Sequence, residues 1–136
     1  MIDRKYFKTD QAFERQKSLC SQIKTVMAEF IRYALEIGVA EPIITETVTT
    51  AHEDALVSRK HDQHRRCVAF DGRVSDWSGE QIDAMIAHLN EKFKALAYVT
   101  ESGFKQVAFV HDNGNGLHFH VAVNAFYKLP EFKNDL

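Results

Sequence analysis

Two stretches of the chain place an apolar residue at about every third or fourth position, which is the spacing of an amphipathic helix. The first covers residues 10–37 and is followed by Gly38, a residue that favours the end of a helix. The second covers residues 78–96 and opens with Ser78 and Gln81, the sequence pattern of a capping box. The pattern therefore predicts two helices.

Four other segments have the composition of β-strands. Residues 41–50 are rich in Thr, Ile and Val, residues 67–74 read CVAFDGRV, and residues 104–111 and 117–126 flank the turn-like sequence DNGNG. The polar, irregular segment 51–66 predicts a loop or a short helix. We expect an α+β fold in which helices pack against a small, mainly antiparallel sheet.

The length and charge of the chain narrow the possible functions. A chain of 136 residues suits a single domain, and a formal charge of −2 gives no overall attraction to nucleic acid or to an anionic membrane. The first thirty residues are too charged for a signal peptide, and no apolar stretch reaches the roughly 18 residues of a membrane-spanning helix. We expect synthesis in the cytoplasm, no membrane insertion, and two buried free thiols at Cys20 and Cys67.

His118 and His120 stand two residues apart on the last predicted strand, so their side chains point to the same face of the sheet. Two imidazoles on one face are well placed to bind a metal or to transfer protons. The alternative is that polar residues simply alternate outward along a solvated edge strand.

A second pair of residues favours the metal. His64 precedes the strand at 67–74, and Asp71 lies inside that strand between apolar neighbours. A buried carboxylate is costly unless a cation or a set of donors compensates its charge. Two imidazoles and one carboxylate form the ligand set of a catalytic zinc site, in which the fourth position is left to water. We therefore predict one zinc ion per chain, bound by His64, Asp71 and His120.

The order of these residues resembles the M15 family of zinc peptidases, which are D,D-carboxypeptidases and L-alanyl-D-glutamate endopeptidases with the hedgehog/DD-peptidase fold. The family pattern S-x-H-x-x-G-x-A-x-D matches His64, Ala69 and Asp71 at the same offsets. IITET (43–47) resembles the strand before this loop, and HDNGNGLHFHV resembles the closing segment of small phage-encoded members. The matches suggest a zinc-peptidase-like core at residues 41–126, preceded by an N-terminal helical segment at residues 1–40.

The resemblance implies a peptidoglycan hydrolase of the endolysin type. Zinc would lower the pKa of its water toward about 7, and His118 would act as general base or stabilise the oxyanion. The implied substrate and partner is the peptidoglycan stem peptide with its D-amino-acid-containing bonds. The implied setting is a bacteriophage, whose enzyme reaches the cell wall after holin-type release or as part of a virion.

Three positions depart from the family pattern. Asp62 and Cys67 replace its serine and glycine, and Thr49 stands where members carry an arginine that binds the substrate carbonyl or carboxylate. Arg66 or Arg73 is then the candidate to supply the missing positive charge at the catalytic centre.

The remaining polar candidates have weaker arguments behind them. Glu46, in the strand before the loop, is either a hydrogen-bond partner of a ligand histidine or a solvated strand residue. His111 is either a further site residue at the mouth of the turn or a histidine exposed to water beside it, and we expect the exposed position. We expect His52, His61 and His88 to be surface residues.

Two other functions stay open. A metal-dependent nuclease of the relaxase type also carries an H-x-H pair, and His111 and Asn124 occupy suitable flanking positions. That nuclease needs a tyrosine nucleophile, for which Tyr33 is the candidate, and it leaves His64 and Asp71 unexplained. The other possibility is a catalytically inactive zinc-binding domain, either a structural part of a virion or a wall-binding module, which the missing arginine favours.

Overall fold

A computed structural model describes residues 1–59, 62–99, 103, 105–112 and 116–125. The helices are α1 (Asp10–Arg15), α2 (Ser21–Glu36), α3 (Ala51–Leu56) and α4 (Gly79–Lys92), with 3₁₀ turns at Arg4–Tyr6, Gln16–Ser18 and Lys94–Leu96. The strands are β1 (Ile44–Glu46), β2 (Ala69–Arg73), β3 (Tyr98–Val99), β4 (Lys105–Gln106), β5 (Ala108–Asp112) and β6 (Leu117–Ala122). The fold is α+β, which confirms the predicted class.

Four strands form one antiparallel sheet in the order β1-β2-β6-β5. The two middle strands, β2 and β6, pair in register from Ala69 with Ala122 to Arg73 with His118. Because β6 is an inner strand, the interpretation of the H-x-H pair as part of a solvated edge strand is wrong. β3 and β4 form a separate two-stranded sheet, so the single strand predicted at residues 104–111 is divided between β4 of this sheet and β5 of the larger one.

The sheet has one apolar face and one polar face, because side chains alternate along each strand. Phe70 of β2 and Phe119 of β6 each meet Phe30 of α2 with ring centroids 5.4 Å apart. Trp77 stacks on Phe30 and is a packing residue. Gly72 of β2 lies on this apolar face, and its missing side chain leaves the space that the ring of Phe30 fills. The opposite face carries Glu46, Asp71, Arg73, His111, His118 and His120.

The first predicted helix is interrupted, and the prediction of one continuous helix is wrong. α1 ends at Arg15, and α2 begins only at Ser21, because Leu19 and Cys20 take extended conformations. In this conformation Cys20 donates its backbone N–H to the carbonyl oxygen of Cys67 at 2.9 Å. A tertiary hydrogen bond here overrides the helical periodicity of the sequence.

The predicted helix ends are better placed. Gly38 follows α2 with a φ of 92°, the left-handed conformation in which glycine avoids a steric penalty. Ser78 and Gln81 make the predicted capping box at the start of α4. α4 itself stops at Lys92, and the residues up to Leu96 form a 3₁₀ turn.

The first predicted strand is much shorter than residues 41–50. After Glu46 the chain leaves the sheet, and its polar groups bind other partners: Val48 accepts a hydrogen bond from Arg15, and Thr50 caps α3 with Glu53 in a capping box. The polar segment 51–66 therefore begins with a short helix, one of the two forms predicted for it.

Several predictions fall outside the described residues, namely the turn at 113–115, the end of the last strand at Phe126, and His61. Cys20 and Cys67 are buried free thiols, as predicted. No helix in the described ranges is long and apolar enough to cross a membrane.

Candidate metal centre

Three distant parts of the chain bring the predicted ligands together on the polar face of the sheet. His64 lies in the loop before β2, Asp71 in the middle of β2, and His120 opposite Asp71 on β6. All three side chains are buried, and one ligand atom from each lies within 4.8 Å of the others. The group can hold a metal ion.

One oxygen of Asp71 is the focus of the group. Oδ1 lies 3.1 Å from Nε2 of His64 and 3.1 Å from Nδ1 of His120. The carboxylate thus faces one nitrogen from each ring, and the three residues are only 0–4% exposed.

The nitrogen of each ring that points away from Asp71 is hydrogen-bonded to an oxygen atom of the protein. Nδ1 of His64 lies 2.6 Å from the carbonyl oxygen of Thr47, which can only accept, so this nitrogen carries the hydrogen. Nε2 of His120 lies 2.6 Å from Oε1 of Gln63, and with that amide oxygen as acceptor it also carries the hydrogen. With the hydrogen on its other nitrogen, each neutral ring directs a lone pair toward Asp71. A metal cation can be bound by these two lone pairs together with the carboxylate.

The pKa values in the metal-free centre are strongly perturbed. Burial opposes the charge on Asp71, but the charges and hydrogen bonds of His64 and His120 hold the pKa of this carboxyl well below its usual range. Burial also opposes protonation of His64, yet the Asp71 carboxylate overcomes it and raises the pKa of His64. Burial lowers the pKa of His120. Without a metal, a proton on His64 provides the positive charge that Asp71 requires.

His118 lies next to the ligand group and is oriented differently. Its Nδ1 donates to the carbonyl oxygen of Gly116 at 3.1 Å, which leaves a lone pair on Nε2 of the neutral ring. Nε2 is 3.6 Å from Oδ2 of Asp71 and has no hydrogen-bond partner among the described residues. His118 is therefore placed beside the ligands with a nitrogen available to accept a proton.

His111 is part of this group, so the prediction that it is an exposed residue beside the turn is wrong. It faces His118 across β5 and β6, with ring centroids 4.5 Å apart, and its Nε2 is buried. Burial, followed by the charge of His118, lowers the pKa of His111. The signal in the sequence was the position of His111 at the end of a predicted strand, directly before the turn that leads to the H-x-H strand. The structure places it in register with His118.

The arginine nearest to Asp71 is Arg59, which the sequence pattern did not single out. Its side chain is 5% exposed, and Nη2 lies 3.6 Å from Oδ2 of Asp71. The guanidinium also binds Glu46 at 2.5 Å and Asp54 at 2.8 Å. Thr49, at the position of the family arginine, donates its hydroxyl to Asp54 at 2.6 Å.

The other predicted site residues lie at different distances from the centre. Glu46 is in register with Asp71 on the neighbouring strand, and both carboxylates face Nη2 of Arg59. Arg73 is in register with His118 on the same face of the sheet. Arg66 pairs with Asp62 at 3.9 Å.

A cleft of about 850 Å³ opens at this centre. Asp71 and His118 line it, together with Arg59, Arg73 and other residues. The three-residue group is therefore buried among its neighbours, and Asp71 is the member of it that lines the cleft.

Comparisons of the chain with protein-family models, with curated proteins and with solved structures found no match. The geometry of the described residues defines a centre with three metal-ligating side chains, a neighbouring histidine that can accept a proton, and a nearby arginine. The three-residue group could therefore bind a metal ion, with His118 and Arg59 beside it.

His88 and His52, which were predicted on the surface, and Tyr33, the candidate relaxase nucleophile, lie away from the centre. His88 is half-buried rather than exposed: it binds Glu29 at 2.5 Å and stacks on Tyr33 at 3.8 Å. Tyr33 of α2 thus packs against His88 of α4, on the apolar side of the sheet. His52 is exposed on α3, as predicted.

Proposed function

We propose that the protein is a zinc-dependent peptidase that hydrolyses D-amino-acid-containing peptide bonds of bacterial peptidoglycan. The observation that carries the proposal is the convergence of Nε2 of His64, Nδ1 of His120 and a carboxylate oxygen of Asp71 beside an open cleft. Two nitrogens and one oxygen suit zinc, and three protein ligands are typical of a catalytic site. When bound, zinc polarises the scissile carbonyl and makes a water molecule more acidic.

His118 supports a hydrolytic step. Because its Nδ1 hydrogen is bound by Gly116, its Nε2 can take a proton from the attacking water and later deliver it to the leaving amine. His118 lines the cleft, and its Nε2 lies on the Oδ2 side of Asp71, so it can act without being a metal ligand.

Arg59 argues against the inactive zinc-binding domain. Thr49 replaces the family arginine, but Arg59 brings a guanidinium to the cleft and is bound to the same aspartate as Thr49. A fixed positive charge here can stabilise negative charge on the carbonyl oxygen in the transition state.

The conformation of Cys67 supports the resemblance to the M15 pattern. Cys67 takes the place of the pattern's glycine and has a φ of 63°, in the left-handed region that glycine adopts most readily. At this position, the loop that carries His64 therefore has the left-handed backbone conformation for which glycine is best suited. The relaxase alternative loses support, because Tyr33 stacks on His88 away from the ligand group.

The proposed partner is the peptidoglycan stem peptide, and the proposed place of action is the bacterial cell wall. A phage enzyme that reaches the wall after holin-type release, or as part of a virion, fits this role.

The test combines metal content with hydrolysis. Elemental analysis of the purified wild-type protein should find one zinc per chain, lost in His64→Ala and in His120→Ala and retained in the matched control His52→Ala. Purified peptidoglycan incubated with the wild-type protein should release new amino groups, and a chelator should stop the release. Zinc that survives both ligand substitutions contradicts the metal centre, whereas bound zinc without release of amino groups favours the inactive domain.

A further inference from the structure

The cleft contains two positive side chains that no carboxylate of the described chain neutralises. Six of the seven arginines pair with Asp or Glu. Arg73 makes no ion pair or side-chain hydrogen bond within the described ranges, and the same holds for Lys8. Both residues line the cleft.

The carboxylates in the lining are paired within the cleft. Glu46 and Asp71 both face Arg59, at 2.5 and 3.6 Å from its Nη2. Three cationic side chains, those of Lys8, Arg59 and Arg73, and two carboxylates line the cleft, which leaves an excess of one positive charge. In a chain with a formal charge of −2, this local excess of positive charge is not a consequence of overall composition.

The backbone holds both residues close to the start of β1. The N–H of Lys8 donates to the carbonyl oxygen of Ile44, and the N–H of Arg73 donates to that of Ile43, each at 2.9 Å. Phe7, buried to 2% exposure, anchors the segment that carries Lys8. Arg73 is also in register with His118, so its charge lies next to the proposed base, and Lys8 lines the same cleft.

We propose that Lys8 and Arg73 form a subsite for a carboxylate of the peptide substrate, next to His118. The inference rests on the proposed function and adds a requirement for the substrate, which must carry a negative group near the cleaved bond. A guanidinium can bind a carboxylate through two hydrogen bonds, and an ammonium adds a mobile point charge. The subsite also gives a role to the segment before α1, which lies outside the residues of the family pattern.

The experiment compares the binding of matched acids and amides to the purified, zinc-supplemented protein by NMR titration. One pair is N-acetyl-D-alanyl-D-alanine and its C-terminal amide. The other is N-acetyl-L-alanyl-D-glutamic acid amide and the corresponding D-glutamine peptide. These pairs separate a terminal carboxylate from a side-chain carboxylate.

The wild-type protein should bind the acid of at least one pair about tenfold more tightly than its amide, the size of one charge-assisted hydrogen bond. This preference should fall severalfold in Arg73→Gln and in Lys8→Gln. It should persist in Arg73→Lys, which keeps the charge, and in the control Lys105→Gln, which removes an exposed lysine on β4.

Equal binding of acid and amide in both pairs overturns the subsite, even if the protein hydrolyses peptidoglycan. A preference for the acid that survives both Arg73→Gln and Lys8→Gln also overturns it, because the carboxylate is then bound by the metal or by Arg59. Conversely, a preference that depends on Lys8 and Arg73 supports the subsite in a protein that shows no hydrolysis. The two proposals can therefore fail separately.

Discussion

The ring of Phe30 lies so close to the backbone of Gly72 that a Cβ at Gly72 would come within 2.8 Å of Phe30 Cζ. Phe30 cannot move away easily, because its ring also packs on Phe70, Trp77 and Phe119. We expect Gly72→Ala to lower the free energy of unfolding by about 1–3 kcal/mol through overpacking. Urea denaturation followed by circular dichroism measures this change.

Gly79 provides the matched control. It is the first residue of α4, and a Cβ there would meet no atom within 4 Å. Gly79→Ala should leave the stability unchanged or raise it by up to about 1 kcal/mol, because alanine favours the helix. If both variants lose the same stability, the contact with Phe30 is not the cause.

Gln63 should control the affinity for zinc without binding the metal itself. Its side-chain oxygen holds Nε2 of His120, which fixes the ring so that Nδ1 faces Asp71. We expect Gln63→Ala to weaken zinc binding about 10–100-fold, the usual effect of removing a partner of a ligand histidine. Competition with a chromogenic chelator measures this affinity, and an unchanged value would show that the hydrogen bond does not orient the ring.

His118 and Asp71 should separate catalysis from metal binding. His118→Ala should retain zinc and lower kcat about 10²–10⁴-fold, because it removes the proposed base. Asp71→Ala should lose zinc and also lower the melting temperature, since metal binding contributes to folding. Zinc content, melting temperature and turnover are measured on both proteins. Zinc loss in His118→Ala would mean that this residue is a ligand and not the base.

Arg59 should be far more important for stability than Arg66. Arg59 is 5% exposed and compensates Glu46 and Asp54, whereas the side chain of Arg66 is 36% exposed. We expect Arg59→Gln to cost about 3–5 kcal/mol, the penalty for breaking a buried ion pair. Arg66→Gln should stay within about 0.5 kcal/mol of the wild type. Similar costs in chemical denaturation would contradict the buried network.

Glu29 should give the protein an acid-sensitive part of its stability. Two hydrogen bonds from Arg32 at 2.7 Å, opposed by burial and reinforced by His88, lower the pKa of Glu29 from 4.5 to about 2. A lowered carboxyl pKa stabilises the fold above the unfolded value and loses this contribution as pH falls from about 4.5 to 2. The contribution should be about 1–2 kcal/mol after solvent screening.

The variant Glu29→Gln isolates that contribution from acid release of the metal, which affects both proteins alike. The stability difference between wild type and variant should be full at pH 6 and should shrink steadily below pH 4.5. A difference that stays constant down to pH 2.5 would show that the pKa of Glu29 is not lowered.

The sequence predicted the parts of the fold that depend on local pattern. The capping box at Ser78 and the glycine after α2 follow from spacing and residue type alone. The break at Leu19 and Cys20 could not be predicted, because the bond to Cys67 that favours it joins residues 47 positions apart.

The candidate centre could be predicted because a buried carboxylate carries a large desolvation penalty. Asp71 in an apolar strand requires a cation, and this requirement pointed to His64 and His120. Arg59 and Gln63 were missed, because they lie in a polar, irregular segment without periodicity. Their roles depend on where the loop folds back over the sheet, which neither spacing nor composition specifies.

The hydrogen bond from Cys20 to Cys67 ties the beginning of α2 to the loop that carries His64. Thr47, whose carbonyl holds the ring of His64, in turn donates its hydroxyl to the carbonyl oxygen of Ala12 in α1. A shortened chain that began at β1 would keep every ligand but lose both anchors of the loop. In such a truncation, His64 would no longer be held in a fixed position relative to Asp71. The smallest part of the chain that keeps the ligand geometry therefore includes the N-terminal helices.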